Sequence, residues 1–351
     1  MSYITKPVAR HPRMRTNALG LTSRDYEGTM STLCAGCGHD SVTAALVQAF
    51  FELDVEPHRV AKLSGIGCSS KTPAYFVSEA HGFNSVHGRM PSIAAGANAA
   101  NRDLLYVGIS GDGDSLSIGL GQLCHAIRRN VNMLYVLENN GVYGLTKGQF
   151  SASADVGTKS KRGEVNRHGP IDPVNVALSL GATFVARSFS GDKRQLVPIL
   201  KAGLKHTGFA LVDVISPCVT FNDHKGSTKS YAHTRFHMHE VVETDFVPLR
   251  AEIQTDYGEG AVQSVTMHDG SVVRFRKVAG DYDPTDRGAV LEHLRESRSR
   301  GEVATGLLYL EETGEDMHAY ENTVEEPLVD LPFEALCPGS AALEKLQQEW
   351  R

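Results

Sequence analysis

The sequence predicts an α/β fold in which a mainly parallel β-sheet is covered by helices on both faces. Two patterns support this prediction. Short apolar runs, typical of buried strands, alternate with segments of helical apolar spacing between residues 41 and 215. Glycine or proline follows several of the runs, as expected where an element ends in a turn. A chain of 351 residues with 41% hydrophobic composition can bury a sheet of this size.

The individual elements follow from the same patterns. Helices are predicted at residues 41–53, 92–101, 116–129 and 172–180, and strands at residues 59–63, 104–109, 131–137, 182–187 and 210–215. Asp40 is placed to cap the first helix. The strands 104–109 and 131–137 and the helix between them form one βαβ unit, so these strands should run parallel and end at the same edge of the sheet.

Changes in composition divide the chain into three parts. Residues 1–30 form a basic N-terminal arm, which we expect to lie on a neighbouring subunit unless it is a transit peptide. Residues 31–240 form the main α/β domain. Residues 241–351 are more acidic, and they should form a C-terminal extension with a hairpin of strands 262–267 and 272–278 and an acidic tail.

Composition excludes several kinds of partner. The net charge is −6 and the sequence pI is about 6.2, so no overall positive field would attract nucleic acid. No apolar run approaches the roughly 20 residues needed to cross a bilayer. The start of the chain lacks the apolar stretch of a secretory signal. We therefore expect a cytoplasmic protein that binds neither nucleic acid nor a membrane.

The strongest motif joins Gly111-Asp112-Gly113 to Asn139-Asn140, one βαβ unit later. Because both strands end at the same edge of the sheet, Asp112 and Asn140 should meet where α/β proteins bind ligands. Their carboxylate and amide oxygens, with the backbone carbonyl of Val142, suit a Mg²⁺ ion that also binds two diphosphate oxygens and a water. The two glycines would let the backbone approach the phosphates. A plain glycine turn beside a chance asparagine pair is the alternative.

Four of the six cysteines lie in loops beyond the same sheet edge or before a helix. Cys34 and Cys37 form a Cys-x-x-Cys pair among glycines, Cys68 lies in a glycine and serine turn, and Cys218 follows a strand end. A zinc site, a thioredoxin-like dithiol and an iron–sulfur cluster all use such cysteines. Small neighbours favour a [4Fe–4S] cluster, since they let backbone N–H groups reach its sulfurs. Cys124 falls inside a predicted helix, where a packed core thiol is expected.

Two segments resemble the 2-oxoacid:ferredoxin oxidoreductases, whose β subunits bind thiamine diphosphate. They are residues 138–149, ENNGVYGLTKGQ, and residues 34–39, CAGCGH. The resemblance covers most of residues 30–235, and it implies the thiamine-diphosphate-binding fold. The implied Mg²⁺ ligands are Asp112, Asn140 and the carbonyl of Val142. The implied ligands of one [4Fe–4S] cluster are Cys34, Cys37, Cys68 and Cys218. The residues that would line the cofactor are Ile66, Gly67, Cys68, Ser69, His87, Gly88, Arg89, Gly113, Asp114, Gly144 and Leu145.

Basic side chains beside these motifs are candidates for catalysis. His39 lies next to a helix N-terminus, and His87 and Arg89 flank a glycine, so each can meet a diphosphate or a carboxylate. A structural role is the alternative for each, and the resemblance favours cofactor contacts for His87 and Arg89. Lys147 resembles the 2-oxoglutarate and broad-specificity branch, since pyruvate-specific relatives tend to have glycine here. Its ammonium would meet the distal carboxylate of the substrate, or else a diphosphate or a neighbouring acid.

The resemblance also implies an activity and partners. The chain would be the catalytic β subunit of a 2-oxoglutarate:ferredoxin oxidoreductase, which converts a 2-oxoacid and coenzyme A into an acyl-CoA and CO₂. Because the chain lacks the Cys-x₂-Cys-x₂-Cys-x₃-Cys-Pro run of a two-cluster ferredoxin, electrons should leave to a separate ferredoxin. An α subunit should supply the pyrimidine-side domain, in an (αβ)₂ assembly. The alternatives are a pyruvate or broad-specificity enzyme, an electron-transfer cluster protein without thiamine catalysis, and a non-redox thiamine enzyme.

Overall fold

The computed structural model describes residues 11, 13–244, 262–266, 272–277, 282–311 and 314–350. Its strands are β1 Val60–Ser64, β2 His81–Asn84, β3 Leu105–Gly111, β4 Met133–Asn139, β5 Val142–Tyr143, β6 Gln149–Phe150, β7 Phe184–Phe189, β8 Phe209–Ile215, β9 Met238–Thr244, β10 Val262–Thr266, β11 Val272–Lys277 and β12 Val303–Leu310. Its α-helices are α1 Gly38–Glu52, α2 Met90–Ala100, α3 Leu120–Arg128, α4 Pro173–Ser179, α5 Lys193–Lys205, α6 Tyr231–His237, α7 Arg287–Ser299, α8 Met317–Glu321, α9 Phe333–Leu336 and α10 Ser340–Glu349.

Among the described residues, ten strands form one sheet in the order β10-β11-β9-β12-β7-β8-β4-β3-β1-β2. The six strands from β7 to β2 in this order run parallel, and Ile109 of β3 lies opposite Val136 of β4. β12 joins β7 antiparallel and β9 in parallel. β10 and β11 pair antiparallel, with Val262 opposite Arg276, as the predicted hairpin requires. The turn of this hairpin, at residues 267–271, lies outside the described residues.

The sheet separates two apolar cores, and alternate residues of β4 point into each. Leu134 and Val136 pack in the core that contains α1 and α5. Tyr135 and Leu137 pack in the core that contains α2, α3 and α4. Every residue of β4 is buried. A parallel strand that is buried on both faces has a continuous apolar sequence, which is why the pattern at 131–137 predicts this strand. The predicted α/β class is confirmed.

Two predicted helices begin differently in the structure. α1 begins at Gly38 and has Cys37 as its N-cap, so Asp40 lies in its first turn and is not the cap. The reason is close packing. The Gly38 N–H donates to the Pro217 carbonyl at 3.2 Å, and a Cβ on Gly38 would lie 2.8 Å from Pro217 N. A π-helical segment, Gly113–Ile118, precedes α3, in place of the continuous α-helix that the sequence predicts.

The two ends of the chain pack differently. Tyr26 is fully buried, its hydroxyl donates to the Val55 carbonyl at 2.8 Å, and Asn17 Nδ2 donates to this hydroxyl at 2.9 Å. Tyr26 therefore anchors the end of the arm to its own chain, and the position of the arm on a neighbouring subunit stays a prediction. Residues 1–10 lie outside the described residues. α9 and α10 are exposed along their whole length. None of the described helices is long and apolar enough to span a membrane.

Candidate functional site

The carboxyl edge of the parallel strands brings together two of the predicted metal ligands. β3 and β4 end side by side, with Gly111 opposite Glu138. Asp112 follows β3 and is 1% exposed. Its carboxylate accepts hydrogen bonds from the backbone N–H groups of Asn140 at 3.4 Å and Gly141 at 3.0 Å. The structure thus brings Asp112 and Asn140 together, as the spacing of the two motifs predicts.

Two serine hydroxyls, which sequence reasoning missed, hold the Asp112 carboxylate. Ser151 and Ser153 both donate to its Oδ2 atom, Ser153 at 2.5 Å. Burial raises the pKa of Asp112, and these two hydrogen bonds oppose the increase. No Lys, Arg or His nitrogen in the described part of the chain forms an ion pair with this carboxylate. Because a buried carboxylate without a cation is costly, Asp112 fits the role of a metal ligand.

Asn140 and Val142 supply the other predicted oxygen ligands. Asn140 Oδ1 accepts from the Val142 N–H at 3.0 Å, and the Asn140 carbonyl accepts from Asn222 Nδ2 at 2.8 Å. Gly141 has φ of +76°, and a Cβ there would lie 2.5 Å from Asn222 Nδ2, so this turn requires glycine. A carboxylate, an amide oxygen and a backbone carbonyl are the hard oxygen donors that Mg²⁺ binds. The donor set therefore fits a Mg²⁺ site.

Asn139, the first residue of the asparagine pair, connects this site to a buried ion pair. Its Oδ1 lies 2.8 Å from Ser153 Oγ, and its Nδ2 donates to Asp213 Oδ1 at 3.0 Å. Arg187 Nε donates in turn to Asp213 Oδ2 at 2.7 Å. Asn139 therefore positions Ser153 and, through it, Asp112.

The Asp114 carboxylate binds groups of the protein itself. Its buried carboxylate accepts from Ser110 Oγ at 2.6 Å and from the Gly88 N–H at 2.7 Å, and it contacts Nδ1 of His87. A Cβ on Gly65 would lie 1.8 Å from Asp114 Oδ2. Asp114 therefore holds the His87 loop and the Gly65 turn against the end of β3, and its carboxylate is engaged by these neighbours.

The remaining predicted cofactor residues surround the same edge. A Cβ on Gly113 would lie 2.5 Å from the ring of Tyr143, whose hydroxyl donates to the Gly113 carbonyl at 2.9 Å. His87 is partly buried, whereas Arg89 is exposed at the N-terminus of α2. Leu145 is 51% exposed. The turn after β1 contains Ile66, Gly67, Cys68 and Ser69.

The four cysteines of the predicted cluster lie close together. A Cβ on Gly144 would lie 3.4 Å from Cys68 Sγ and 3.6 Å from Cys218 Sγ, so these sulfurs flank the loop that begins at Asn140. Burial raises the pKa of both thiols, and the nearby Cys34 raises both further. Burial also raises the pKa of Cys37 to about 12, with a smaller contribution from Cys218. The Cys37 N–H donates to the Cys34 carbonyl at 3.0 Å, and the next N–H, of Gly38, donates to the Pro217 carbonyl beside Cys218, so the loops that carry the four cysteines are adjacent.

Hydrogen-bond donors surround two of these sulfurs. Burial raises the pKa of Cys218, but the backbone N–H groups of Thr220, Phe221 and Asn222 lower it. The Thr220 hydroxyl also donates to Cys34 Sγ at 3.6 Å. Among the described residues, no three His, Cys, Asp or Glu side chains are close enough together to hold one metal ion. Cysteine sulfurs on adjacent loops, with backbone N–H groups directed at one of them, are the donor set that an iron–sulfur cluster uses.

The other two cysteines have different surroundings. Cys124 lies in α3 and is half-buried. The expectation of a packed core thiol is wrong there, because Leu123, Ala126 and Ile127 take the core-facing positions of the helix. Cys337 is exposed beside α9.

A buried acid and a buried histidine, Glu138 and His39, lie beneath the site. Glu138 Oε2 is 3.4 Å from His39 Nδ1 and accepts from the Thr72 hydroxyl at 3.2 Å, and His39 Nδ1 is 2.6 Å from Ser216 Oγ. Burial raises the pKa of Glu138 well above its usual range and lowers the pKa of His39 to about 4. His39 Nε2 lies 3.5 Å from Asn140 Nδ2. The buried His39 therefore contacts the site through Asn140, and sequence reasoning missed Glu138.

Lys147 has an unusual backbone conformation. Its φ is +79°, in the left-handed region that favours glycine, and its N–H donates to the Gly144 carbonyl at 3.1 Å. Its side chain is exposed. A left-handed lysine costs the fold free energy, and such conformations cluster at functional sites.

Comparisons with known proteins identify the family. A family model described as "Thiamine pyrophosphate enzyme, C-terminal TPP binding domain" matches residues 65–214. The 2-oxoacid:ferredoxin oxidoreductase subunit beta of Saccharolobus solfataricus is 44% identical over 191 residues, which are 54% of this chain and 63% of that subunit. The 2-oxoglutarate synthase subunit KorB of Methanocaldococcus jannaschii is 35% identical over 189 residues, which are 54% of this chain and 69% of that subunit. This chain belongs to the 2-oxoacid:ferredoxin oxidoreductase β-subunit family.

A solved structure matches a larger share of this chain than these two relatives do. It is the 2-oxoglutarate:ferredoxin oxidoreductase from Magnetococcus marinus with 2-oxoglutarate, coenzyme A and succinyl-CoA bound. Its TM-score is 0.70 at 30% sequence identity, and the match covers 89% of this chain and 91% of that chain. Together with the family model, this likeness confirms the predicted thiamine-diphosphate-binding fold. The alignment with the Saccharolobus subunit is shorter and spans less than two thirds of that relative's length.

Proposed function

We propose that this β subunit, with an α subunit, catalyses the coenzyme A-dependent oxidative decarboxylation of a 2-oxoacid, preferentially 2-oxoglutarate, to an acyl-CoA and CO₂. Electrons pass through one [4Fe–4S] cluster to ferredoxin. The position of Gly144 gives the strongest support. This residue follows the metal-ligand candidate Asn140 by four positions, and a Cβ on it would lie 3.4 Å from Cys68 Sγ and 3.6 Å from Cys218 Sγ. The diphosphate-metal site and the cluster site would therefore lie close together, as electron transfer between a cofactor and a cluster requires.

The metal site would hold the diphosphate. Thiamine diphosphate, when bound, supplies the carbanion chemistry that decarboxylates a 2-oxoacid. Asp112, Asn140 and the carbonyl of Val142 would bind Mg²⁺, while Ser151 and Ser153 keep the carboxylate in place.

The glycines and basic residues around this metal would contact the phosphates and the ring. Gly113 lets the diphosphate approach the backbone, and the adjacent helical N–H groups favour its negative charge. Asp114 holds His87 and Gly88 against the site. Arg89, exposed at the start of α2, would add a cation.

The cluster would be held by Cys34, Cys37, Cys68 and Cys218. Its role is to accept electrons one at a time and to pass them on to a separate carrier. The chain's own contribution is to bury three of the four cysteines partly and to direct backbone N–H groups at Cys218. A side chain at position 144 would contact two of these sulfurs, and glycine keeps this position free of one.

Lys147 and the relatives' names support 2-oxoglutarate as the preferred substrate. The Methanocaldococcus subunit is named for 2-oxoglutarate, and the Magnetococcus structure contains 2-oxoglutarate and coenzyme A. Lys147 is exposed in the loop that follows the metal-ligand candidates, where its ammonium can meet a distal carboxylate. An enzyme that also accepts pyruvate remains the alternative within the family.

Anaerobic co-purification with the α subunit tests the proposal. We expect a brown (αβ)₂ complex that contains about four irons per β subunit, together with Mg²⁺ and thiamine diphosphate. Visible absorption should fall when 2-oxoglutarate is added, because the substrate reduces the cluster. Coenzyme A should then allow ferredoxin to be reduced in repeated turnovers.

The same preparation separates the competing hypotheses. Zinc in place of iron would contradict the redox function. Iron without thiamine would favour an electron-transfer protein, and thiamine without iron would favour a non-redox decarboxylase. Equal bleaching by pyruvate and 2-oxoglutarate would indicate a broad-specificity enzyme.

A further inference from the structure

A shallow depression lies on the outer side of the cysteine loops. Its lining includes Gly36, Ser41, Lys193, Val219, Tyr231 and Arg235. We name this surface the basic depression, because both charged side chains in its lining are cations.

The basic depression directly contacts the loop that holds two of the cluster cysteines. Gly36 lies between Cys34 and Cys37, and the Tyr231 hydroxyl donates to its carbonyl at 3.0 Å. A Cβ on Gly36 would lie 3.7 Å from a methyl group of Val219. Cys34 is itself exposed. A protein seated in the depression would therefore contact the outermost part of the cluster site.

The charges of the basic depression favour an acidic partner. Lys193 and Arg235 are exposed, and neither forms an ion pair with a residue in the described ranges. Asp40 precedes Ser41, Asp192 precedes Lys193 and Asp223 contacts Tyr231, but none of these carboxylates forms an ion pair with Lys193 or Arg235 in the described residues. Asp192 accepts from the N–H groups at the start of α5, and Asp223 accepts from the Tyr231 N–H at 2.9 Å.

We propose that the basic depression is the docking surface for the electron acceptor, a small acidic protein with its own iron–sulfur cluster near the surface. This inference rests on the proposed function. Each transfer moves one electron from the reduced cluster of the β subunit to the oxidised cluster of the acceptor, and no bond forms or breaks. Electron transfer slows steeply with distance, so the acceptor must dock beside an exposed part of the cluster site. Redox encounters use small interfaces, under about 1,200 Å², which are guided by complementary charge.

Charge reversal in the assembled enzyme tests the proposal. The Lys193→Glu, Arg235→Glu double variant should bind an acidic two-cluster ferredoxin about tenfold more weakly in a direct binding measurement at low salt. The KM for this ferredoxin should rise by a similar factor, and both differences should shrink as salt is added. Reduction of methyl viologen, a small dye, should keep its parental kcat and KM for the 2-oxoacid. Iron content and melting temperature should also match the parent.

Lys205→Glu is the matched control. Lys205 is an exposed lysine at the other end of α5, about 18 Å from Lys193 at about 1.5 Å per residue. The Lys205→Glu variant should bind ferredoxin with the affinity of the parent. Arg235 packs over the Tyr231 ring, so its replacement could also disturb the fold. Lys193→Glu alone, at an exposed position, is therefore the second variant, and it should weaken ferredoxin binding severalfold.

Three results would overturn the proposal. They are parental ferredoxin affinity in both variants, equal weakening in Lys205→Glu, and loss of the α subunit from the complex, which would show that the depression is a subunit interface. Failure of the proposed function would look different, because the parent enzyme would then fail to reduce methyl viologen with a 2-oxoacid and coenzyme A.

Discussion

Replacing Lys147 by methionine tests whether its charge selects a dicarboxylic substrate. The Lys147 side chain is exposed and forms no hydrogen bond or ion pair with the residues that the structure describes, so its ammonium is available to the substrate. A charge-assisted hydrogen bond contributes about 1.5–3 kcal/mol, which is about tenfold to a hundredfold in rate or binding. Because Lys147 is exposed and solvent screens its charge, we expect its contribution to lie at the lower end of this range. We therefore expect kcat/KM for 2-oxoglutarate to fall about tenfold.

The assay compares 2-oxoglutarate with pyruvate and 2-oxobutyrate, which have no distal carboxylate. Activity on these two substrates should change much less, and cofactor content should stay the same. Lys147→Gly is a useful second variant, because it also relieves the left-handed φ of +79°, which costs about 1–2 kcal/mol in a residue with a side chain. It should show the same change in substrate preference as Lys147→Met. An equal loss of kcat/KM on all three substrates would refute the reasoning and place Lys147 on the diphosphate or in loop structure.

Three further predictions follow from individual contacts. Asp112→Ala removes the buried carboxylate of the metal site, so thiamine diphosphate should be lost while about four irons remain, and cofactor binding equal to that of the parent would contradict the assignment. Thr220→Val removes a hydrogen bond to Cys34 Sγ that would stabilise the more negative, reduced form of the proposed cluster. The reduction potential should therefore fall by on the order of 20 mV in a titration monitored by electron paramagnetic resonance, and an unchanged potential would show that this contact has no effect on the cluster. Burial lowers the pKa of His206 from 6.5 to about 4, so the unfolded chain takes up a proton that the folded chain does not, and stability falls as the pH drops below 6.5. Between pH 6.5 and about pH 5 the parent should lose about 2 kcal/mol more stability in urea than His206→Gln, whereas parallel pH curves would show that His206 titrates normally.

The sequence predicts the central part of the fold and the meeting of Asp112 with Asn140 well, because these features depend on local patterns. The strand at 131–137 is a continuous apolar run, and right-handed crossover places the ends of two neighbouring parallel strands at one edge. Asp112 and Asn140 meet for this reason. Four cysteines in loops around the same edge could be grouped by the same argument, although their distances could not.

Other features depend on contacts between distant segments, which local patterns do not specify. Ser151 and Ser153 reach Asp112 from a loop about 40 positions later in the chain, and nothing in their immediate sequence marks them as its partners. Glu138 is paired through Thr72 and His39, which come from two other segments. The insertion of β12 between β7 and β9 is equally non-local. To predict this strand order, one would need to know which edges of the sheet stay unpaired after the first strands have paired.

The exposed C-terminal helix affects how the protein should be handled in the laboratory. Leu343, Leu346 and Trp350 follow helical spacing at the end of α10, and each is more than half exposed to water. Apolar surface of this kind promotes self-association when a subunit is produced alone at high concentration. Co-expression with the α subunit, an affinity tag at the N-terminus and a mild non-ionic detergent during lysis are therefore sensible choices for keeping the material monodisperse.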